Sequence, residues 1–89
     1  MGSNSVTHNE TQGQFEIKLE NEISVLQYHR VGDQMRLIHT EVPPSLRRRG
    51  LGNQLVHAAL DYAHFHQLKV VPICPFVKAY MQKHPEAAS

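Results

Sequence analysis

Three consecutive arginines, Arg47, Arg48 and Arg49, run directly into Gly50-Leu51-Gly52-Asn53. Guanidinium groups match phosphate oxygens in pairs, and glycine lets backbone N–H groups turn inward with no Cβ in the way. A helix that starts at such a segment adds its positive dipole end and its free N–H groups at the same spot. The chemistry this pattern suits is the holding of a diphosphate. Two further groups stand out. His39 and Glu41 are two residues apart just ahead of the loop, a spacing that puts both on one face of a strand. Cys74, the single cysteine, precedes Pro75. A proline at a first helical position would set the sulfur beside a helix N-terminus, where the dipole favours thiolate.

The elements that must position these residues follow from periodicity. Phe15, Ile17 and Leu19 alternate with Glu16, Lys18 and Glu20, which predicts a half-buried strand from Gln14. A turn at Asn21-Glu22 leads to a second strand over Ile23 to Val31, rich in Val, Ile, Leu and Tyr and paired antiparallel to the first. Gly32-Asp33-Gln34 supplies the next turn, and Met35 to Val42 a third strand, ended by Pro43-Pro44. From Leu51 to about Gln67 the period lengthens. Leu51, Leu55, Ala58, Ala59, Tyr62 and Ala63 mark one face of an amphipathic helix, with Asn53, Gln54, His57, Asp61 and His64 largely opposite. Leu68 to Cys74 is a nearly continuous apolar run, read as a strand covered on both faces and lying parallel to the third by a right-handed crossover. Phe76 to Lys83 makes a short closing helix before Pro85. The fold class is α+β: antiparallel N-terminal strands, then a β-α-β unit and a short C-terminal helix. Residues 1–13, polar or glycine apart from Met1 and Val6, are expected to form a mobile tail, and residues 14–89 a single compact domain.

Composition narrows the function classes. Eighty-nine residues with a net charge of +1 give one small domain and no global field for wrapping nucleic acid. The arginine cluster has a small footprint and no aromatic platform beside it, which makes nucleic acid an unfavoured partner. One cysteine excludes an intrachain disulfide framework and fits a reducing compartment. No leading apolar segment or membrane-length run is seen, so the expectation is a soluble, cytoplasmic protein. Asn9-Glu10-Thr11 matches a glycosylation sequon, expected to go unused in that compartment. The histidines lack the spacing of a shared metal: His64 and His66 point apart, His57 and His64 lie two turns apart, His8 sits in the tail and His84 beside a proline. No metal is expected.

Arg47-Arg48-Arg49-Gly50-Leu51-Gly52 resembles the R/Q-x-x-G-x-G/A coenzyme loop of the GCN5-related N-acetyltransferases, placed after a strand and before a helix as in that family. His39-Thr40-Glu41-Val42 and Cys74-Pro75-Phe76-Val77-Lys78 extend the resemblance to the small single-domain branch of the superfamily, covering about Phe15 to Glu86. The resemblance implies an acetyl-CoA site in a cleft where the third and fourth strands splay. Arg47, Arg48, Arg49, Gly50, Leu51, Gly52 and Asn53 would hold the pyrophosphate. The backbone around Glu41 and Val42 would meet the pantetheine arm, and Lys78 a coenzyme phosphate. Direct transfer needs a base, for which Glu41 and His39 are the candidates. Cys74 would lie near the acyl end, either taking the acetyl group as a thioester or positioning it. Tyr80 is a weaker candidate for an acid, because the small branch does not reliably use a tyrosine there. The implied activity is acetyl transfer to a primary amine by a monomer or weak dimer. The alternative is a non-catalytic acyl-CoA-binding module. The tight turn between the first two strands leaves no room for an enclosing acceptor pocket, which suits a bulky acceptor such as a protein tail.

Overall fold

A computed structural model describes residues 5 to 85. Five strands form one sheet in sequence order: β1 (Thr7–Asn9), β2 (Gln14–Leu19), β3 (Glu22–Val31), β4 (Gln34–Glu41) and β5 (Lys69–Pro72). Pairing is antiparallel from β1 to β4 and parallel between β4 and β5, as the β-α-β reading requires. Between β4 and β5 run a single 3-10 turn, Pro44–Leu46, and helix α1 (Leu51–Phe65); α2 (Pro75–Lys83) closes the chain. The β2–β3 turn is made by Glu20 and Asn21, both left-handed at φ +54° and +63°. Two such residues give a turn whose twist matches the strands it joins.

One apolar core lies between the sheet and the two helices. Phe15, Ile17, Leu26, Met35 and Leu37 come from the sheet, and Leu51, Leu55, Val56, Ala59, Leu60 and Ala63 from α1, with Leu46, Leu68, Cys74 and Val77 beside them. The buried face of α1 is rotated from the expected one: Val56 and Leu60 are fully packed, whereas Ala58 and Tyr62 lie half-buried at its margin.

Three expectations change. Residues 1–13 are not a tail throughout, because Thr7–Asn9 pairs with Gln14–Glu16 as β1. The reason is His8, whose ring stacks on Phe15 at 4.2 Å, meets Tyr62 edge-on at 4.5 Å, and places Nε2 2.5 Å from the Tyr28 hydroxyl. A histidine here supplies the apolar surface that the segment otherwise lacks. Residues 1–4 lie outside the described part. Second, β5 is not covered on both faces: the helices pack on one face of the sheet, and Ile73, just after this edge strand, is 47% exposed. The N–H groups of Lys69 and Ile73 point back toward Asp33 and Leu37. By alternation Pro72 therefore sits where an outward donor would be, and blunts the free edge. Third, β4 is not a regular strand. Leu26 faces Thr40 and Gln27 faces His39, but Tyr28 faces Leu37, so Ile38 is one residue more than β3 can pair. That bulge inverts the alternation along β4. Met35 and Leu37 point into the core; beyond the bulge it is Thr40 that takes the core side, opposite Leu26.

Candidate functional site

The bulge decides where the candidate side chains on β4 go. His39 and Glu41 turn to the face away from the helices, share it as their spacing predicts, and meet with Nε2 and Oε1 3.4 Å apart. Both are well exposed. On its other side β4 loses its neighbour: pairing with β5 stops at Leu37 opposite Pro72, and the N–H groups of both Ile73 and Cys74 converge on the Leu37 carbonyl. From there to Glu41, β4 has β3 on one side and an open edge on the other.

A cavity of about 640 Å³ lies against that open edge. It is walled by His39, Thr40, Glu41 and Val42 from β4 and its end, by Leu46, Arg47, Arg48, Gly50, Leu51, Gly52 and Asn53 from the loop and first turn of α1, and by Phe76. Because it meets β4 edge-on, it touches side chains of both faces. Gly50 is the N-cap of α1 in a left-handed conformation, φ +76°, and no side chain caps the helix. Arg48 is left-handed as well, at φ +69°. The N–H groups of residues 48 to 53 find no acceptor among the described residues; the next one, that of Gln54, bonds the Gly50 carbonyl. Six such donors in a row at a helix start are an arrangement that suits an anion.

The two glycines serve different ends. Gly50 supplies the left-handed turn, with nothing within 4 Å of where its Cβ would be. Gly52 instead leaves space for the Phe76 ring, whose Cζ would stand 2.8 Å from a Cβ there. A glycine pattern cannot by itself reveal the second role, since the aromatic partner lies on α2.

The arginines also divide. Arg47 lines the cavity with its Nε donating to the Val42 carbonyl at 3.0 Å. Arg48 lines it without any hydrogen bond or ion pair to the described residues. Arg49 is absent from the wall and pairs with Glu20, Nη1 to Oε2 2.6 Å. Lys78 and Cys74 are not in the wall either. Cys74 sits just behind it, 6% exposed, with Sγ 3.6 Å from the Thr40 hydroxyl. Burial pushes its thiol pKa up. The Thr40 hydroxyl and the N–H groups of Val77, Phe76 and Thr40 favour the thiolate more, so the net shift is downward. Tyr80 packs against the core and the His84 ring, 4.4 Å away, outside the cavity wall. Sequence reasoning missed Thr40, Leu46 and Phe76 as wall residues.

Comparison with known proteins agrees with this fold. A family model described as GCN5-related N-acetyl-transferase matches residues 14–89. The chain belongs to the GCN5-related N-acetyltransferase family. Among its relatives, Protein NATD1 of Homo sapiens is 35% identical over 83 residues, spanning 90% of this chain and 74% of the relative. Protein NATD1 of Danio rerio is 32% identical over 83 residues, with 90% and 76% covered. The NMR structure of a GCN5-like protein from Staphylococcus aureus superposes with a TM-score of 0.74 at 23% identity, covering 98% of this chain and 86% of that one. The GCN5-related fold is thus present in a single small sheet with two helices. No helix among its described residues is long and apolar enough to cross a membrane.

Proposed function

We propose that this chain transfers acetyl from acetyl-CoA to a primary amine. The observation that carries the reading is the run of free N–H groups at residues 48 to 53, bordering a cavity that also reaches the unpaired edge of β4. These donors, with Arg48 and Arg47 beside them, suit a pyrophosphate. The stretch of β4 beyond Leu37, which β5 does not pair, offers strand-like hydrogen bonds to the amides of a pantetheine arm, although the Thr40 N–H is turned to Cys74. Acetyl-CoA supplies an activated acyl thioester. What this chain adds is position and a base.

His39 and Glu41 face the side of the sheet that no described helix covers, whereas the phosphate donors lie on the helix side. The amine therefore approaches from the bare face, where Glu41, hydrogen-bonded to His39, takes its proton. Cys74 lies behind Thr40, with its Sγ 3.6 Å from the Thr40 hydroxyl and outside the cavity wall. Its depressed pKa keeps acyl transfer through sulfur chemically open, as a thioester formed with loss of the coenzyme thiol and then cleaved by the amine. Lys78 and Arg49 lie outside the wall, and we give neither a direct contact with the coenzyme.

The test is incubation with acetyl-CoA and a panel of primary amines: polyamines, free amino acids and lysine peptides. Acetylated amine and intact protein are both read by mass spectrometry. Acetylated amine from the natural chain and from Cys74→Ala, lost in Glu41→Gln, supports direct transfer. A hydroxylamine-labile adduct on the natural protein, with transfer abolished in Cys74→Ala, assigns the acyl-cysteine route. Coenzyme bound with no amine acetylated overturns the enzyme and leaves an acyl-CoA-binding module.

A further inference from the structure

The loop that carries the arginines is held from behind. Its residues have little regular structure: only Leu46 and Arg47 donate backbone hydrogen bonds, to Pro43 and Pro44, before the chain enters the left-handed Arg48 and Gly50. A loop with six free N–H groups needs other ties to keep them aimed. Two come from the β2–β3 turn. Ser45 donates its hydroxyl to the Glu22 carboxylate, and Arg49 reaches back to Glu20 at 2.6 Å. The third is Arg47, whose Nε closes the segment onto the Val42 carbonyl. Glu20 and Glu22 flank a turn set by the left-handed Glu20 and Asn21, so both carboxylates project from a fixed hairpin end.

We propose a division of labour among the three arginines, resting on the coenzyme reading above: Arg48, whose whole guanidinium is unpaired, takes a coenzyme phosphate, Arg47 reaches the same cavity with its Nε tied and only its Nη groups unpaired, and Arg49 with its partner Glu20 are positioning residues that hold the loop. The consecutive arginines look equivalent in sequence, yet one lines the cavity unpaired, one lines it while tethered, and one points to the hairpin. A half-exposed ion pair contributes little on its own. Its effect here is local, on a segment with few other constraints, and so appears in ligand affinity and not in global stability.

Salt dependence and pairwise coupling separate the roles. Salt screens the attraction between a ligand phosphate and each cation that meets it, so removing that cation flattens the dependence of affinity on salt. A residue that only shapes the loop leaves that slope alone. Titration calorimetry with coenzyme A at several salt concentrations should show Arg48→Gln binding about tenfold more weakly with a shallower salt slope. Glu20→Gln and Arg49→Gln should each weaken binding about threefold with the slope unchanged. The double variant should be no worse than either single one, because both break the same tie. The exchange Glu20→Arg with Arg49→Glu should restore affinity to within about twofold. A shallower slope in Arg49→Gln, or additive losses in the double variant, overturns the assignment by putting Arg49 on the phosphate. If the folded natural chain binds no coenzyme A at millimolar concentration, the coenzyme reading itself fails, and this inference with it.

Discussion

His39 and His8 stand in opposite circumstances, and the contrast separates a histidine that the fold leaves accessible from one that it uses for structure. His39 is exposed beside Glu41 at the open edge of β4, next to a loop whose backbone donors lack partners. His8 is packed into a cluster with Phe15, Tyr28 and Tyr62, its ring nitrogen hydrogen-bonded and its faces covered. At the first site polar groups are left wanting; at the second they are spent. Backbone donors with no partner in the chain are met by water or by a ligand, and a helix start gathers them in one place.

The sharpest way to test the contrast is to remove one functional group from each side. At the open site, Glu41→Gln should lower the acetyl-transfer rate by roughly a hundredfold or more, the scale of a lost general base, with coenzyme affinity nearly unchanged in calorimetry. At the packed site, His8→Ala should leave coenzyme binding alone and cost about 1–2 kcal/mol of stability by denaturant melts, with β1 amides losing protection from hydrogen exchange. The same cluster sets a pH dependence. Burial holds the His8 pKa below its ordinary value of 6.5, opposed by Glu10 and reinforced by His66. The unfolded chain then takes up a proton that the folded chain resists, so the stability His8 contributes is full above about 6.5 and is lost as pH falls below it. Melts from pH 7.5 to 5 should show that loss, and His8→Phe should reduce it.

Smaller effects probe the core beneath. Ser24 is fully buried and its hydroxyl has no partner among the described residues. Ser24→Ala should therefore stabilise the fold by about 1 kcal/mol in the same melts. Gly52→Ala should cost about 0.5–1 kcal/mol, because the Phe76 ring must move, and this loss should vanish in a Phe76→Ala background. An unchanged cost in that background would detach Gly52 from Phe76.

Much of this was legible in the amino-acid sequence, and what was not has identifiable causes. Alternation from Phe15 to Leu19 and the switch of period at Leu51 marked the strands and α1, because apolar burial on one face imposes those periods. The loop from Arg47 to Asn53 was legible for a similar reason: glycine and charge stand out against their neighbours. The bulge at Ile38 was not, since an unpaired residue leaves no mark in a strand of mixed polarity. Nor was β1, whose anchor is a histidine packed as an aromatic. The difference among the three arginines depends on Glu20, 29 residues from Arg49, and only the folded hairpin brings them together. The missing cover on one face of β5 escaped notice because Val70, Val71 and Ile73 read the same whether one face or both are covered.

The most direct test of the account is a nitrogen-15 amide NMR titration of the natural chain with coenzyme A. The account predicts the largest shifts at the amides of residues 48 to 53, followed by residues 39 to 42, with the β1 and His8 region unmoved. Shifts centred elsewhere, or none at saturating coenzyme in a folded sample, would contradict the claim that the free N–H groups of this loop are a phosphate site.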